Sequence, residues 1–513
     1  MLTSGLVIDK DIFKVASRAY NKRLCNIKTN FHQTQIAEAD SKKLFAIDLS
    51  GNKKSTSSVL PDTDPTLLPD LFANFFINKI ESIRTNFSPV PDISDINSGH
   101  EFRLSLSSNF HSFRPLCVGE VVALVRKVSS KTCSIDPMPT NLVKECIDIL
   151  APTLACIVNT SFRTGVYPEA CKQAIVRPLI KKIGLDKETF KNYRPVSNCT
   201  FLDKYLEKAA LAQLHHYFKE HRLYGKFQSA YREGHSTETA LLRVMNDILR
   251  ALDKKQDLIL ILLDLSAAFN TIDHSILISR LQAYFVITGT ALKWLTSYLT
   301  GRTQKVAVGS FLSEEHILCY GVPQGSVLGP VLFPLYMAPL EDIIEKHGLN
   351  SVIYADDTRL YIACDSPKDC SVINCIEQCV DEIRSWMGSN MLSLNDNKTE
   401  IVCFSSRCKD VGIPPSNCAV RIGDVLVTAA NSVRNLGVMM DSTGTMDTYI
   451  TSLCKEASHS LWRIGRIRKF LDQANTEKLI HAFVSSGLVI ACSTPVMVTN
   501  LKSFNTFRIQ QHV

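Results

Sequence analysis

The sequence has no apolar run long enough to cross a bilayer. The longest, Leu258 to Leu263 and the proline-broken Val327 to Leu340, fall well short of the roughly 20 residues a spanning helix needs, so we expect no membrane segment. It has no Cys-x-x-Cys pair, and its 17 cysteines are an odd number at irregular spacing, which argues against a disulfide scaffold or a zinc ribbon. The opening MLTSGLVIDKDIF lacks a basic stretch followed by an apolar one, so we expect free thiols in a reducing, intracellular setting. No repeat of about 20 to 50 residues is visible, which excludes a solenoid. Nor is there a large charge surplus, since +7 over 513 residues is mild. What is present, 45% hydrophobic and 21% charged residues, excludes disorder and leaves a globular chain of about two to four domains.

The surplus is concentrated. Between Cys171 and Arg250 there are 15 Lys and Arg against 8 Asp and Glu, a difference of +7 that equals that of the whole chain. Cations alternate there with aromatics, as in Lys181, Lys182, Lys187, Phe190, Lys191, Tyr193 and Arg194, a mixture suited to a phosphate backbone with stacked bases. A smaller basic group, Arg463, Arg466, Arg468 and Lys469, shares a stretch with Trp462 and Phe470.

Residues 1 to about 65 show little periodicity, and Ser50 to Ser58 reads as a solvated connector. From Pro65 to Arg84, Phe72, Phe75, Phe76, Ile80 and Ile83 fall at helical spacing and predict one amphipathic helix. Thr85 to Phe113, rich in Ser, Asn, Asp and Pro, reads as a linker. Strand-like runs (Ile175 to Ile180, Leu258 to Asp264, Lys305 to Val308, Val352 to Tyr361) then alternate with helix-like ones, so the class is mixed α and β.

Three acids carry the chemical argument. Asp257 to Asp264 is a continuous apolar run of strand length that ends on an acid, which predicts a strand buried on both faces with Asp264 at its exit. About 90 residues on, Asp356 and Asp357 lie between two short β-prone runs, the pattern of a hairpin with the acids at its turn. Carboxylates brought together at strand ends raise one another's pKa unless a cation compensates, and hard oxygen ligands favour Mg²⁺. Two such ions about 3.5–4 Å apart serve in-line phosphoryl transfer.

These blocks resemble a reverse transcriptase of the jockey-like, non-LTR (LINE-type) retrotransposons. Tyr354-Ala-Asp-Asp357 is similar to the family's catalytic hairpin, Leu263 to His274 to its first catalytic strand, and Gly321 to Pro330 to its nucleotide-binding loop and helix. Arg177 to Lys182, Asn192 to Ser197, Phe227 to Arg232, Leu392 to Lys398 and Arg434 to Val438 match further blocks in order. The resemblance implies an α+β right-hand polymerase, with fingers, a palm built on an antiparallel sheet and a partial helical thumb. We expect a linker region over 1–110, a helical lead-in over 111–162, fingers and palm over 163–440, and a shortened thumb over 441–513.

The implied activity is RNA-directed DNA synthesis from a DNA 3′ end, with an RNA template, a DNA primer, dNTPs and two Mg²⁺ ions that Mn²⁺ could replace. By the same resemblance Asp264, Asp356 and Asp357 are the metal-binding catalytic acids, and Lys398 donates a proton to the departing pyrophosphate. Phe269 rejects ribonucleotides at the sugar 2′ position. Gln324 and Gly325 hold the nucleotide, Arg194 with Lys181 or Lys182 reaches triphosphate or template phosphates, and Leu436 and Gly437 grip the primer. No apurinic-type endonuclease is recognisable in the first 110 residues, so nicking is expected to come from elsewhere, and cytoplasm and nucleus are the expected locations. Two departures stand out. Asn270 replaces the family's usual Asp, which should weaken activity, and Pro334 falls inside the helix after Gln324, where an interior proline costs roughly 3 kcal/mol or kinks the helix. They support two alternatives, an inactive remnant that still binds nucleic acid and, less well, a maturase-like splicing helper. The cluster Cys364, Cys370, Cys375 and Cys379 fits no zinc pattern and reads as free thiols, and His215, His216 and His274 have no partner at metal-ligand spacing.

Overall fold

The structure is a computed structural model that describes residues 7–37, 39, 60–85, 87, 109–182, 184–266, 268–405, 418–444 and 446–486. The connector at 50–58, most of the linker at 85–113 and the tail after 486 lie outside the described residues. The chain divides into two compact units: a larger one of Ser58–Ala240 with Ala251–Asn431, and a smaller one of Met1–Ser57, Leu241–Arg250 and Ser432–Val513.

Two sheets organise the larger unit. One contains β1 (Gln173–Ile180), β2 (Tyr193–Cys199), β4 (Thr303–Val308) and β5 (Phe311–Leu312) in the order β2-β1-β4-β5, with β6 (His316–Ile317) also pairing β4. The other has the order β7-β8-β3-β9, from β3 (Asp257–Leu263), β7 (Asn350–Tyr354), β8 (Asp357–Cys364) and β9 (Glu400–Phe404), and all its pairings are antiparallel. The apolar run expected to be covered on both faces is β3: every residue of it is buried, between β8 and β9.

Helices cover this second sheet because each turns an apolar stripe to it. Ile259, Ile261 and Leu263 of β3 share one core with Leu206 and Leu214 of the helix Phe201–Glu220, Trp294 and Tyr298 of Gly289–Leu299, Phe333 of Gly329–Met337, and Ile376 and Ile383 of Cys370–Ser389. Gly329–Met337 stays helical through Pro334, with Phe333 and Tyr336 fully buried on either side of it. Pro334, the sixth of the helix's nine residues, has no N–H to donate to the Pro330 carbonyl.

The amphipathic helix expected near 65–84 forms as Leu68–Thr85. Its apolar face packs as an amphipathic helix must, burying Leu68, Phe72 and Phe76 against Val176, Tyr193 and Val306 of the five-stranded sheet.

The smaller unit holds a finding that the sequence reading did not anticipate, a 31-residue helix Val7–Ala37. Its apolar residues Ile12, Phe13, Val15 and Tyr20 are exposed and scattered, so no apolar stripe announces it. Ile36, near its end, joins Ile464, Ile467, Leu471 and Leu479 from the helices Asp447–Ile467 and Gln473–Ile480 and the turn between them in a small core. A hairpin, Ser432–Asn435 with Val438–Asp441, belongs to the same unit. No helix among the described residues is long and apolar enough to cross a membrane.

A candidate active site at the carboxylate hairpin

The backbone brings the three predicted acids to one end of the antiparallel sheet. Leu263, the last residue of β3, pairs with Thr358 of β8, so Asp264 leaves the sheet beside Asp357. Tyr354 pairs with Asp357, which leaves Ala355 and Asp356 as a two-residue turn. Ala355 has φ +58°, a left-handed conformation that costs a residue with a Cβ about 1 kcal/mol. Gln228 holds it there: its Oε1 accepts from the Ala355 N–H at 3.2 Å and the Ala230 N–H at 2.8 Å. The same segment closes on the edge of β7, where the Ile353 N–H donates to Phe227 O and the Ser229 N–H to Ile353 O, each at 2.9 Å.

Electrostatically the acids form a loose, under-compensated set. Burial raises the pKa of Asp356, and the charges of Asp357 and Asp264 raise it further, against the opposing pull of Arg359. Arg359 is buried and lies 3.3 Å from Asp357 Oδ2. Lys398 Nζ sits 2.9 Å from Asp264 Oδ2, and the Asn395 amide is 3.4 Å from the same oxygen. Tyr231 borders the site: burial and then the Asp356 charge push its phenol upward. Three carboxylates with two cations between them suit a divalent ion, because added positive charge would relieve Asp356.

A second wall is built by two loops locked together. The Gly321 N–H donates to Ile272 O at 2.8 Å, the Val322 N–H to Phe269 O at 3.1 Å, and His274 Nε2 lies 2.7 Å from Gly321 O. Gly321 has φ +76° and approaches so closely that a Cβ would stand 2.7 Å from Asn270 Cα. The half-buried Phe269 packs on Phe333 with ring centroids 4.9 Å apart. Further along, the Ser197 N–H of edge strand β2 donates to Gln324 O at 2.8 Å, and a Cβ on Gly325 would meet Ser197 O at 2.3 Å. Thus the loop expected to hold the nucleotide is pinned by backbone contacts to edge strand β2 and to the Phe269–Ile272 segment, and the approach to β2 is one that only a glycine at 325 permits.

The other predicted residues are placed less tightly. Lys181, Lys182 and Arg194 are exposed at the β1–β2 hairpin, where Arg194 pairs with Leu179. Of these, Lys181 is the one that feels Lys398; Lys182 and Arg194 make no hydrogen bond or ion pair with the acids. Leu436 (φ +46°) and Gly437 (φ +92°) form the two-residue turn of the hairpin in the smaller unit, with Asn435 paired to Val438. The cysteines of the 364–379 cluster are all free thiols.

Another carboxylate pair lies beneath the second wall, and sequence reasoning missed it. Asp203 and Glu207, one turn apart on Phe201–Glu220, are fully buried, and with Cys199 their ligand-type atoms lie within 4.8 Å of one another. The three predicted acids are not so tightly grouped. Arg302 Nη2 is 2.9 Å from Asp203 Oδ2, and the Tyr167 hydroxyl donates to Asp203 Oδ1. Glu207 Oε2 accepts from the Val327 and Leu328 N–H groups, both at 2.6 Å, and from the Tyr298 hydroxyl at 3.3 Å. Burial and the neighbouring Asp203 push Glu207 up to about 8, with Arg302 opposing. These donors engage both oxygens of Asp203 and Oε2 of Glu207, so the pair anchors the Gln324 loop to the helix below, while Glu207 Oε1 is buried without a hydrogen-bond partner. Gln228, Arg359 and Tyr231 were also missed, although Arg359 could have been found: two residues after Asp357 on a strand, it shares that residue's face.

With the geometry established, comparison with known proteins adds a family. Residues 180–440 match the family described as reverse transcriptase (RNA-dependent DNA polymerase). The chain is similar to a probable RNA-directed DNA polymerase from transposon BS of Drosophila melanogaster, at 24% identity over 96% of this chain and 54% of that protein. It is also similar to the RNA-directed DNA polymerase from mobile element jockey of Drosophila funebris, at 27% identity over 74% of this chain and 41% of the relative. A probable RNA-directed DNA polymerase from the X-element of Drosophila melanogaster is 27% identical over 66% of this chain and 36% of its own. The chain therefore spans between about a third and about half of the length of these relatives.

Proposed function

The chain belongs to the reverse transcriptase family, and on that premise we propose that it is an RNA-directed DNA polymerase of the non-LTR, jockey-like type. Its substrates are an RNA template, a DNA primer 3′ end and dNTPs. The antiparallel sheet β7-β8-β3-β9 is the palm, the β1–β2 sheet belongs to the fingers, and the helices after residue 446 form the thumb. The observation that carries the reading is the meeting of Asp264, at the exit of a fully buried central strand, with the strained Ala355–Asp356 turn and Asp357.

Asp264, Asp356 and Asp357 fit a divalent pair, with Mg²⁺ as the usual choice for carboxylate and phosphate oxygens. When bound, the ions would acidify the primer hydroxyl and neutralise charge developing on the triphosphate. The protein's own residues do the rest. Phe269, backed by Phe333, walls the sugar pocket against a 2′-hydroxyl. The Gln324–Gly325 loop, held on β2 and on Glu207, fixes the height of the nucleotide. Lys398, beside Asp264, stands where it can place a proton on departing pyrophosphate. Asn270 faces Gly321 through its backbone, so its substitution for an acid leaves that contact intact. The unbroken helix through Pro334 likewise supports a working enzyme over a remnant. For a retrotransposon polymerase the places of action would be the cytoplasm and the nucleus.

Primer extension on an oligo-primed RNA with dNTPs and Mg²⁺ tests the proposal. Wild type should extend, Asp264→Ala should not, and Phe269→Ala should extend with ribonucleotides that wild type rejects. Folded wild type that binds the primed RNA without extending it would refute the reading.

A further inference from the structure

The two loops of the second wall are also held from outside, by a residue upstream of the segment 180–440 that matches the family. Arg84 lies in the last turn of the Leu68–Thr85 helix. Its Nη2 donates to Asp273 Oδ2 at 2.7 Å and its Nη1 to Thr271 O at 3.2 Å, while the guanidinium carbon lies 3.6 Å from the centroid of the Tyr320 ring. One planar group thus touches both loops: Thr271 and Asp273 follow Phe269 in the first, and Tyr320 precedes Gly321 in the second. A lysine would supply the charge but neither the fork nor the stacking plane.

Each contact has a lever on Phe269. Thr271 closes the single helical turn Ala268–Thr271 that carries Phe269, so its carbonyl sets the tilt of that turn. Asp273 divides its oxygens: Oδ1 accepts from the Ser275 and Ile276 N–H groups and caps the helix His274–Ala283, which leaves Oδ2 for Arg84. Tyr320 adjoins Gly321 and Val322, whose N–H groups donate to Ile272 O and Phe269 O and form the direct lock between the loops.

The clamp stands on a firm base. Leu68, Phe72 and Phe76 of the same helix are buried on the five-stranded sheet, and just beyond its end Phe87 packs on the main core. The side chains of Arg84 and Asp273 are only 13% and 10% exposed, so the pair escapes the solvent screening that makes surface ion pairs weak. A tie of this kind matters most where geometric tolerance is smallest, and a shift of about 1 Å at a reacting substrate can cost about 10²-fold.

We propose that Arg84 is a positioning residue for sugar selection: by tying the Phe269 and Gly321 loops together it fixes the Phe269 ring against the nucleotide and sets how strictly ribonucleotides are refused. The role of Phe269 rests on the polymerase reading; control of that ring from the Leu68–Thr85 helix goes beyond it.

Two measurements on the full chain test the proposal. The first is the ratio of kcat/KM for a dNTP to that for the matching ribonucleotide in RNA-templated extension, a ratio that does not depend on how much of a variant is folded. Arg84→Met should lower it about tenfold, the worth of one charge-assisted hydrogen bond, while the affinity for primed RNA holds. Arg84→Lys should recover part of the loss. Asp273→Asn keeps the capping oxygen, and should lower the ratio by itself and add nothing to Arg84→Met. The second measurement, amide hydrogen exchange, needs no catalysis: the Gly321 and Val322 amides should exchange about tenfold faster in Arg84→Met while those of β3 hold. A ratio unchanged in Arg84→Met would overturn the proposal, as would exchange at the two amides that is unchanged or rises only as much as in β3. If those amides loosen selectively yet wild type extends no primer, Arg84 still positions the loops and the polymerase reading falls.

Discussion

Asp264 and Asp357 have side chains 32% and 46% exposed at strand ends, and with Asp356 they share two cations among three carboxylates. Asp203 and Glu207 are 0% exposed, and Arg302, two tyrosine hydroxyls and two backbone amides surround them. The buried pair is the tighter set of oxygens, yet it is the less suited to an ion, because Arg302 already balances one charge and five donors engage three of its four oxygens, leaving Glu207 Oε1 without a partner. The open set is looser and retains negative charge that no cation among the described residues neutralises. Proximity of ligand atoms is therefore a poor guide to a metal centre, and the balance of donors around them is a better one.

Substitutions should separate the two sets by the property they damage. The largest effect is expected at the open set: Asp356→Asn should lower primer extension by at least about 10³-fold, roughly 4 kcal/mol of barrier, as single-turnover rates would show. Its melting temperature should rise slightly, since burial and two neighbouring acids disfavour the Asp356 charge in the native state. Next comes Asp203→Ala, which leaves Arg302 buried without its partner and should cost about 3–5 kcal/mol in urea unfolding.

The smallest effect tests the sign of the buried titration. Glu207 has its folded pKa raised from 4.5 to about 8, so the native state keeps a proton that the unfolded chain loses. Stability should accordingly fall as pH rises from above 4.5 through about 8. Glu207→Gln retains an acceptor for the Val327 and Leu328 amides and should flatten that slope with little loss of stability at pH 6. A slope unchanged in the variant would assign the titration to another group.

The open set was legible in the sequence because its parts are local. An apolar run ending on an acid, and two acids between β-prone segments, specify where a strand stops and where a hairpin turns, and β3, β7 and β8 follow that pattern. The helix Leu68–Thr85 was legible for the same reason, through its Phe72, Phe75 and Phe76 spacing. The buried set was not, because Asp203 and Glu207 at i and i+4 in Leu-Asp-Lys-Tyr-Leu-Glu-Lys read as an ordinary solvated face. Only Arg302, about 100 residues away in sequence, tells that the face points inward. Gln228 is similar: its matching block was visible, but its grip on Ala355 is a long-range hydrogen bond. The Val7–Ala37 helix lacks a stripe altogether, so periodicity had nothing to register. Pro334 shows the limit of a local penalty, since the surrounding core keeps Gly329–Met337 helical despite it.

The most direct test places both sets in one assay: RNA-templated primer extension with dNTPs and Mg²⁺ by wild type, Asp356→Ala and Glu207→Gln, each shown to be folded by circular dichroism. The open set as the catalytic centre predicts extension by wild type and Glu207→Gln and none by Asp356→Ala. Extension that survives in Asp356→Ala, or that disappears in a folded Glu207→Gln, would contradict it.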